Sequence, residues 1–257
     1  MAETYFEPGE QRATKVNELF ARIAPRYDLI NDLQSFGLHR YWKRRVVKLA
    51  RPQRGQQALD LCCGTGDLAF ALARRGVAVT GLDFNEAMLG VAAKRESQVS
   101  SLKSQVPADE QRDHGPQSTV HSPHFVRGDA QALPFRENSF DIVTVGYGLR
   151  NLADWERGVS EMGRVAKPGG RLLVLDFGKP DNAAWRGVYF GYLRLFVPCL
   201  GRIFCGSAGA YGYILQSLRH YPAQHGVAER MRQLGLRNVR IVNLLGGVMT
   251  INYGEKV

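Results

Sequence analysis

The stretch Ala58-Leu59-Asp60-Leu61-Cys62-Cys63-Gly64-Thr65-Gly66-Asp67-Leu68-Ala69 decides the fold of this 257-residue chain. An apolar strand runs into two closely spaced glycines, Gly64 and Gly66, and leaves as a helical pattern. Glycine at such a crossing lets the backbone turn tightly and lets a ligand approach where a β-carbon would collide. The next apolar run, Val77 to Leu82, ends in Asp83, and another helical pattern begins directly after it. An acid at that place, about twenty residues beyond a glycine turn, suits a ribose diol, because one carboxylate accepts from both hydroxyls. Together these features predict a nucleoside cofactor on a doubly wound α/β sheet.

Upstream of this motif, Val16, Leu19, Phe20 and Ile23 recur at helical spacing over residues 11–23. Pro25 ends that helix, and Tyr27 to Gly37 lead to a second over residues 38–49. Pro52 and Gly55 mark the turn into a strand over residues 57–62. Downstream, a helix over 67–75 stops at Gly76, and Asn85 is a good cap for a helix over 86–95. Residues 96–123 are rich in Ser, Gln, Asp, Pro and Gly without a period, which predicts a long loop or disordered insertion.

Strands resume over 124–130, with Asp129 at the end, and over 140–145. A helix over 154–166 stops at Lys167-Pro168-Gly169-Gly170, and the strand over 171–177 is apolar almost throughout, as a strand covered on both faces should be. Repeated strand–helix units call for a parallel sheet with right-handed crossovers. Residues 185–216 break the rhythm: aromatic and aliphatic, interrupted by Pro198 and several glycines, they read either as two core-packing helices or as a lid over an apolar substrate. A helix over 222–234 and strands over 239–243 and 248–253, joined at Gly246-Gly247, close the chain with a β-hairpin. The expected organisation is one domain over 1–257, with N-terminal helices over 10–50 and lid helices over 182–220.

Hydrophobic content of 44% and charged content of 23% are ordinary for a globular protein. No apolar run reaches the ~20 residues a membrane span needs. Met1 to Glu7 lack the basic start and apolar core of a secretory signal. Four cysteines, with Cys62 and Cys63 adjacent, make neither a disulfide framework nor a zinc spacing. The expectation is a metal-free site in a reducing cytoplasm. A formal net charge of +10 serves either solubility or an anionic membrane surface, and nucleic acid comes last because no such motif is legible.

Gly64-x-Gly66-x-x-Ala69 formally matches a nicotinamide fingerprint. Three features favour S-adenosylmethionine instead. Asp60 sits inside the first strand, Asp129 ends the third where an adenine amino group can be met, and a hairpin replaces a sixth parallel strand. That cofactor has one adenosine and an amino-acid tail, with no pyrophosphate for a helix terminus to hold.

Several motifs in order make the resemblance specific. Asp60 to Gly66 is similar to the glycine motif of class I methyltransferases, with Cys62 where many members have the first glycine. Residues 27–43, through Tyr27-Asp28, Asn31, Ser35-Phe36-Gly37, His39 and Trp42-Lys43, resemble the N-terminal signature of the ubiquinone/menaquinone C-methyltransferases, the UbiE/MenG family. Arg164 to Phe177 resembles its second signature, with Asp176 where Glu is usual, and Gly148-Leu149-Arg150-Asn151, Tyr213, Ser217 and Tyr221-Pro222 also match. The likeness runs from about Thr14 to the C-terminus, leaving out residues 96–123.

This resemblance implies a doubly wound, mostly parallel seven-stranded sheet with a C-terminal antiparallel hairpin and added N-terminal and lid helices. It implies methylation of a ring carbon on a prenylated hydroquinone. Asp60, Gly64, Thr65, Gly66, Asp83, Asp129 and Ala130 would then hold S-adenosylmethionine, and Gly146 falls where some relatives have a cofactor-contacting Ser. In such chemistry Arg150 could steady a developing phenolate. His39 either takes the phenolic proton or packs structurally with Trp42, while Tyr27 and Asn151 position the ring. The Cys62-Cys63 pair looks most like members from oxygenic phototrophs, whose product is phylloquinone. The implied order of acceptors is demethylphylloquinol, demethylmenaquinol, then a benzoquinol precursor of ubiquinone. A lipid-soluble prenylated or phytylated quinol also implies peripheral contact with a membrane surface. The alternative from another class is a non-catalytic, cofactor-binding scaffold in a quinone-making assembly.

Overall fold

The apolar stretches pair side by side as strands β1 (Gln57–Leu61), β2 (Ala78–Asp83), β3 (His124–Arg127), β4 (Phe140–Gly146) and β5 (Ala166–Phe177), all parallel. Strands β6 (Arg237–Leu244) and β7 (Met249–Glu255) close the chain as an antiparallel hairpin. Across the seven-stranded sheet the order is β3-β2-β1-β4-β5-β7-β6, with β7 antiparallel to β5. The computed structural model describes residues 10–104, 122–205, 215–218 and 220–257.

Side chains alternate across a strand, so each central strand feeds two layers. Leu59, Leu61, Val143, Val145, Leu172 and Val174 pack with α6 (Trp155–Val165) and α8 (Ala223–Gln233). The intervening Ala58, Ile142, Leu173 and Leu175 pack on the other face with α3 (Leu38–Ala50) and α4 (Asp67–Ala73). Two covered faces explain why these strands read as continuous apolar runs. A third cluster joins α1 (Glu10–Ile23) and α2 (Tyr27–Ser35) to α7 (Ala183–Cys205), through Val16, Leu19, Ile30, Tyr189 and Leu193. Among the described residues, no helix is long and apolar enough to cross a membrane.

Five elements depart from the sequence expectation. The link between the first two helices is itself helical, α2, and Phe36 and Gly37 (φ 50° and 75°) end it in the left-handed region. Helix α5 (Glu86–Ser104) continues past Arg95 into the segment expected as loop; the remainder of that segment, 105–121, lies outside the described residues. Strand β3 stops at Arg127, so Asp129 lies on the loop beyond it. Helix α7 runs unbroken past position 198 rather than dividing there, while 206–214 and 219 lie outside the described residues. The Lys167–Gly170 turn sits inside β5 as a bulge: Phe140 pairs with Ala166, and the next pair is Ile142 with Arg171.

The chain walks outward from β1 to β3, then returns to β4 on the other side of β1. A crevice opens outside the carboxyl ends of strands where the order reverses, and a ligand site is expected there.

Candidate active site

The turn after β1 stands at that crevice. Cys62, Gly64 and Gly66 all adopt positive φ, at 50°, 55° and 86°. Cys62 holds a conformation that costs a side-chain-bearing residue about 1–2 kcal/mol. The two glycines serve different ends. A β-carbon on Gly66 would lie 2.8 Å from the Phe125 ring and 2.9 Å from the Phe70 ring, so this glycine permits packing. A β-carbon on Gly64 would meet nothing nearer than Tyr27 Cε1 at 4.0 Å, so its backbone faces open space.

Asp83 is anchored by backbone donors. The Gly64 N–H donates to Oδ2 and the Asn85 N–H to Oδ1, each at 2.8 Å. Burial pushes its carboxyl above the ordinary range, and those bonds oppose the shift. A carboxylate offers about four lone-pair sites, so capacity for further donors remains. Asn85 Oδ1 in turn accepts from the Met88 N–H at 3.0 Å, capping α5 as expected.

Asp83 lines a cavity of about 190 Å³ together with Gly64, Asp129, Ala130 and Gly146. Tyr27 and Asn151 also border it, and α1 covers it through Val16, Asn17 and Phe20. The Asn85 amide holds α1 there by donating to the Asn17 carbonyl at 2.7 Å. Asp129 Oδ1 accepts from the Gln131 N–H at 2.8 Å, so this acid caps its own loop while facing the cavity.

A recess of about 30 Å³ adjoins the turn, bounded by Asp60, Gly64, Thr65, Gly146 and Lys43. Asp60 is buried and accepts from the Thr144 hydroxyl at 2.7 Å. Burial pushes its carboxyl up to about 7, although Thr144 and Lys43 favour the charge. Thr65 donates its hydroxyl to Asp28 at 2.9 Å. Burial also pushes the Cys62 and Cys63 thiols well up, which keeps them protonated and poor nucleophiles.

A second cavity, about 60 Å³, is walled by aromatics: Trp42, Tyr147, Phe177, Tyr189 and Tyr192, with His39 among them. Tyr147 borders this cavity, the larger cavity and the recess alike. Its backbone is strained at φ 62°, a rare conformation for a bulky residue. The surroundings impose it. The Tyr147 N–H donates to the Leu175 carbonyl at 2.7 Å, and the Tyr147 carbonyl accepts from the Arg150 guanidinium and, at 3.1 Å, from the Asn151 amide.

Arg150 turns away from all three cavities. Its guanidinium is buried, pairs with Asp176 at 2.8 Å and lies 4.6 Å from the Phe177 ring centroid. His39 is also buried, with Nε2 3.5 Å from Asp32 Oδ1. Burial, then the charge of Lys43, pushes its imidazole below the usual range, so it is neutral at neutral pH. Burial likewise raises the Tyr27 phenol.

The structure thus gathers Tyr27, Gly64, Asp83, Asp129, Ala130, Gly146 and Asn151 at one cavity, and Asp60 and Thr65 at its recess. It puts His39 in the aromatic cavity and leaves Gly66 and Arg150 as supports. Sequence reading overlooked the network that ties the N-terminal helices to the glycine turn. Lys43 Nζ donates to Asp67 at 2.6 Å, and Arg95 reaches Asp67 at 2.8 Å, the Thr65 carbonyl at 2.9 Å and Asp28 at 3.3 Å. Burial alone would raise Asp67, but Lys43 and Arg95 outweigh it and hold the carboxyl at about 2. It also overlooked Tyr147, although that residue lies inside the Gly146–Asn151 motif, and Tyr189, for which α7 carried only a general aromatic signal.

Solved structures share this architecture. An S-adenosylmethionine-dependent methyltransferase from Aquifex aeolicus matches 98% of this chain and 100% of its own, with a TM-score of 0.56 and 16% identity. A Thermotoga maritima protein described as a possible histamine N-methyltransferase matches 94% of this chain and 100% of its own, with a TM-score of 0.63 and 17% identity. The fold is therefore that of the S-adenosylmethionine-dependent methyltransferases. Sequence relatives narrow it. Residues 9–256 match the ubiE/COQ5 methyltransferase family. A demethylmenaquinone methyltransferase of Listeria monocytogenes is 35% identical over 250 residues, covering 96% of this chain and 98% of that protein. The ubiquinone/menaquinone biosynthesis C-methyltransferase UbiE of Azotobacter vinelandii is 38% identical over 252 residues, covering 97% and 92%. This chain belongs to the ubiE/COQ5 methyltransferase family and is an S-adenosylmethionine-dependent enzyme.

Proposed function

We propose that this enzyme methylates a ring carbon of a prenylated naphthoquinol, with demethylphylloquinol as its acceptor and demethylmenaquinol as the second choice. The observation that carries this reading is the pair of adjoining cavities, one edged by strand-end carboxylates and one walled by aromatics, with Tyr147 on both. The naphthoquinone named for the Listeria relative supports a two-ring acceptor over a benzoquinol. The Cys62-Cys63 pair supports the phytylated one.

S-adenosylmethionine, when bound, supplies a methyl group already activated on a sulfonium. In this reading Asp83 accepts from the ribose hydroxyls, Asp129 and the Ala130 backbone meet the adenine edge, and Asp60 with Thr65 faces the amino-acid tail from the recess. Gly64 keeps the backbone open to it, whereas a β-carbon on Gly146 would meet Leu68 Cδ1 at 2.9 Å, so that glycine lets Leu68 pack at the cavity wall.

The chain's own work is placement and one proton. A quinol hydroxyl gives up its proton as the neighbouring ring carbon attacks the methyl; that carbon's own hydrogen then moves, as a proton, to the oxygen to restore the aromatic hydroxyl, so one proton is released net. Neutral His39 accepts the hydroxyl proton, with Asp32 steadying the imidazolium that results. Tyr27 and Asn151 orient the ring from the cofactor side. Arg150 acts as a positioning residue, holding Tyr147 through its carbonyl and itself held by Asp176. The acceptor is membrane-dissolved, so the enzyme works at a bilayer surface. Trp185, Val188 and Leu195, exposed on one side of α7, and the net charge of +10 support that.

The test is transfer of label from S-adenosylmethionine to chemically reduced phytyl-naphthoquinol, prenyl-naphthoquinol and prenyl-benzoquinol. Label in the phytyl-naphthoquinol at the highest kcat/KM is expected. Cofactor binding with label in none of them would sink the quinol assignment and favour the scaffold.

A further inference from the structure

Three buried side chains around one small cavity each carry a polar atom that has no partner among the described residues. His39, Tyr147 and Tyr189 are 3%, 8% and 4% exposed, and among the described residues nothing hydrogen-bonds His39 Nδ1 or either tyrosine hydroxyl. All three line the aromatic cavity between α2, α3, α7 and β7. Buried polar groups are nearly always paired, because leaving one unpaired costs its full desolvation. One orphan can be an accident of packing; three on one cavity call for oxygens inside it, from water or from a ligand that displaces it.

The walls state its chemistry. At about 60 Å³ the space admits the edge of a ring and its oxygen, not a whole two-ring body, and Trp42, Phe177 and Tyr192 offer ring faces and edges against which such an edge packs. The orphans ask for oxygens at its edge. His39 presents Nε2 toward Asp32, and that tautomer leaves Nδ1 as a lone-pair acceptor for a ligand O–H. The two tyrosine hydroxyls can donate to a ligand oxygen. A phenolic hydroxyl on an aromatic frame, such as a quinol carries, donates and accepts at once.

We propose that this cavity receives one hydroxyl-bearing edge of the acceptor ring, a 1,4-dihydroxyarene, through His39 Nδ1 and the hydroxyls of Tyr147 and Tyr189. The identity of the ligand rests on the quinol-methylation reading; the existence of the site rests on the orphaned atoms. Because Tyr147 also borders the cofactor cavity, a ring oxygen bonded to it lies at the boundary between the two.

Tyr147→Phe and Tyr189→Phe test this, since each keeps the ring and removes one hydroxyl. The full-length protein, loaded with S-adenosylhomocysteine, is titrated anaerobically with 1,4-naphthoquinol and with 1,4-dimethoxynaphthalene, and its melting is followed without ring ligand. Wild type is expected to prefer the quinol at least about tenfold, and each variant to bind it about 2- to 12-fold more weakly. Both variants should melt no lower than wild type, because removing an orphaned hydroxyl leaves nothing unpaired. Weaker binding without lost stability is a combination that a merely structural hydroxyl does not give. Equal binding by variants and wild type, equal affinity for quinol and diether, or variants that melt lower would each overturn the site. Hydroxyl-dependent binding with no methyl transfer to any quinol would remove the methylation reading and leave the site. Normal turnover with unchanged ring binding in both variants would do the reverse.

Discussion

Asp60→Asn probes the electrostatics beneath the glycine turn. Burial moves the Asp60 carboxyl from an ordinary 3.8 to about 7. Each unit is 1.36 kcal/mol between the protonation states, so about three units make ionising this group in the fold cost about 4 kcal/mol more than in the unfolded chain. The folded value lies above the unfolded one, so between them the unfolded chain binds fewer protons. Stability from this group is therefore fully present below about pH 4 and is lost as pH rises through about 7. Asparagine cannot ionise, yet its carbonyl still accepts from Thr144. The variant should match wild type within about 1 kcal/mol at pH 4 and exceed it by up to about 4 kcal/mol at pH 8. Urea unfolding of both proteins from pH 4 to 8 reads this out, because other carboxylates cancel in the difference. A difference that stays flat with pH, or that grows in favour of wild type, refutes the reasoning. The recess adds a second readout. A ligand ammonium beside Asp60 would favour the carboxylate, so wild-type affinity for S-adenosylmethionine should rise through pH 7 with release of a proton. Asp60→Asn should flatten that rise, as calorimetry in buffers of different ionisation enthalpy would show.

Gly148→Ala would bring a β-carbon to 2.3 Å from Cys62 Cβ and 2.8 Å from its Sγ, costing about 1–3 kcal/mol. Both clashing atoms belong to Cys62, so Cys62→Gly should remove more than half of that cost in a double-mutant cycle; additive costs would show that the clash is not the cause. Arg150→Ala leaves Asp176 buried without its cation and removes one of the two donors, the other being the Asn151 amide, from the Tyr147 carbonyl, so stability should fall by about 3–5 kcal/mol and turnover with it. A folded Arg150→Ala enzyme with normal turnover would end the positioning role. Lys43→Met tests the opposite sign from Asp60. The Asp67 carboxylate, held at about 2, contributes stability that is present above about pH 4 and lost as pH falls toward 2. Without Lys43 the folded value rises, so that contribution shrinks and acid unfolding should begin at higher pH. An unchanged acid profile would assign the effect to Arg95 alone.

What could be read in advance divides along a physical line. Strands β1, β2, β4 and β5 were legible because a central parallel strand must be apolar on both sides, and Leu172 to Leu175, shared between two layers, can be written in few ways. Asp83 and Gly64 were legible for the same reason: a ligand at the switch point meets strand ends and the turns after them. Helix α2 was missed because its fully buried side chain is Ile30 alone, too little to mark a period, and α5 ran on because Glu, Gln and Lys extend a helix without needing a core. Arg150 shows the limit of a motif. Its position just past β4 puts it beside the ligand site, but only the fold shows that Asp176, 26 residues on, turns its guanidinium inward. The aromatic cavity lies beyond such reading altogether, because α2, α3, α7 and β7 meet there through long-range packing. The carboxylate-edged cavity is therefore dictated by sheet topology, whereas the aromatic cavity depends on how helices dock above the sheet. A chain can keep the first and alter the second with few substitutions. Ring specificity should accordingly be sought in His39, Tyr147 and Tyr189, and not in the glycine turn that identifies the fold.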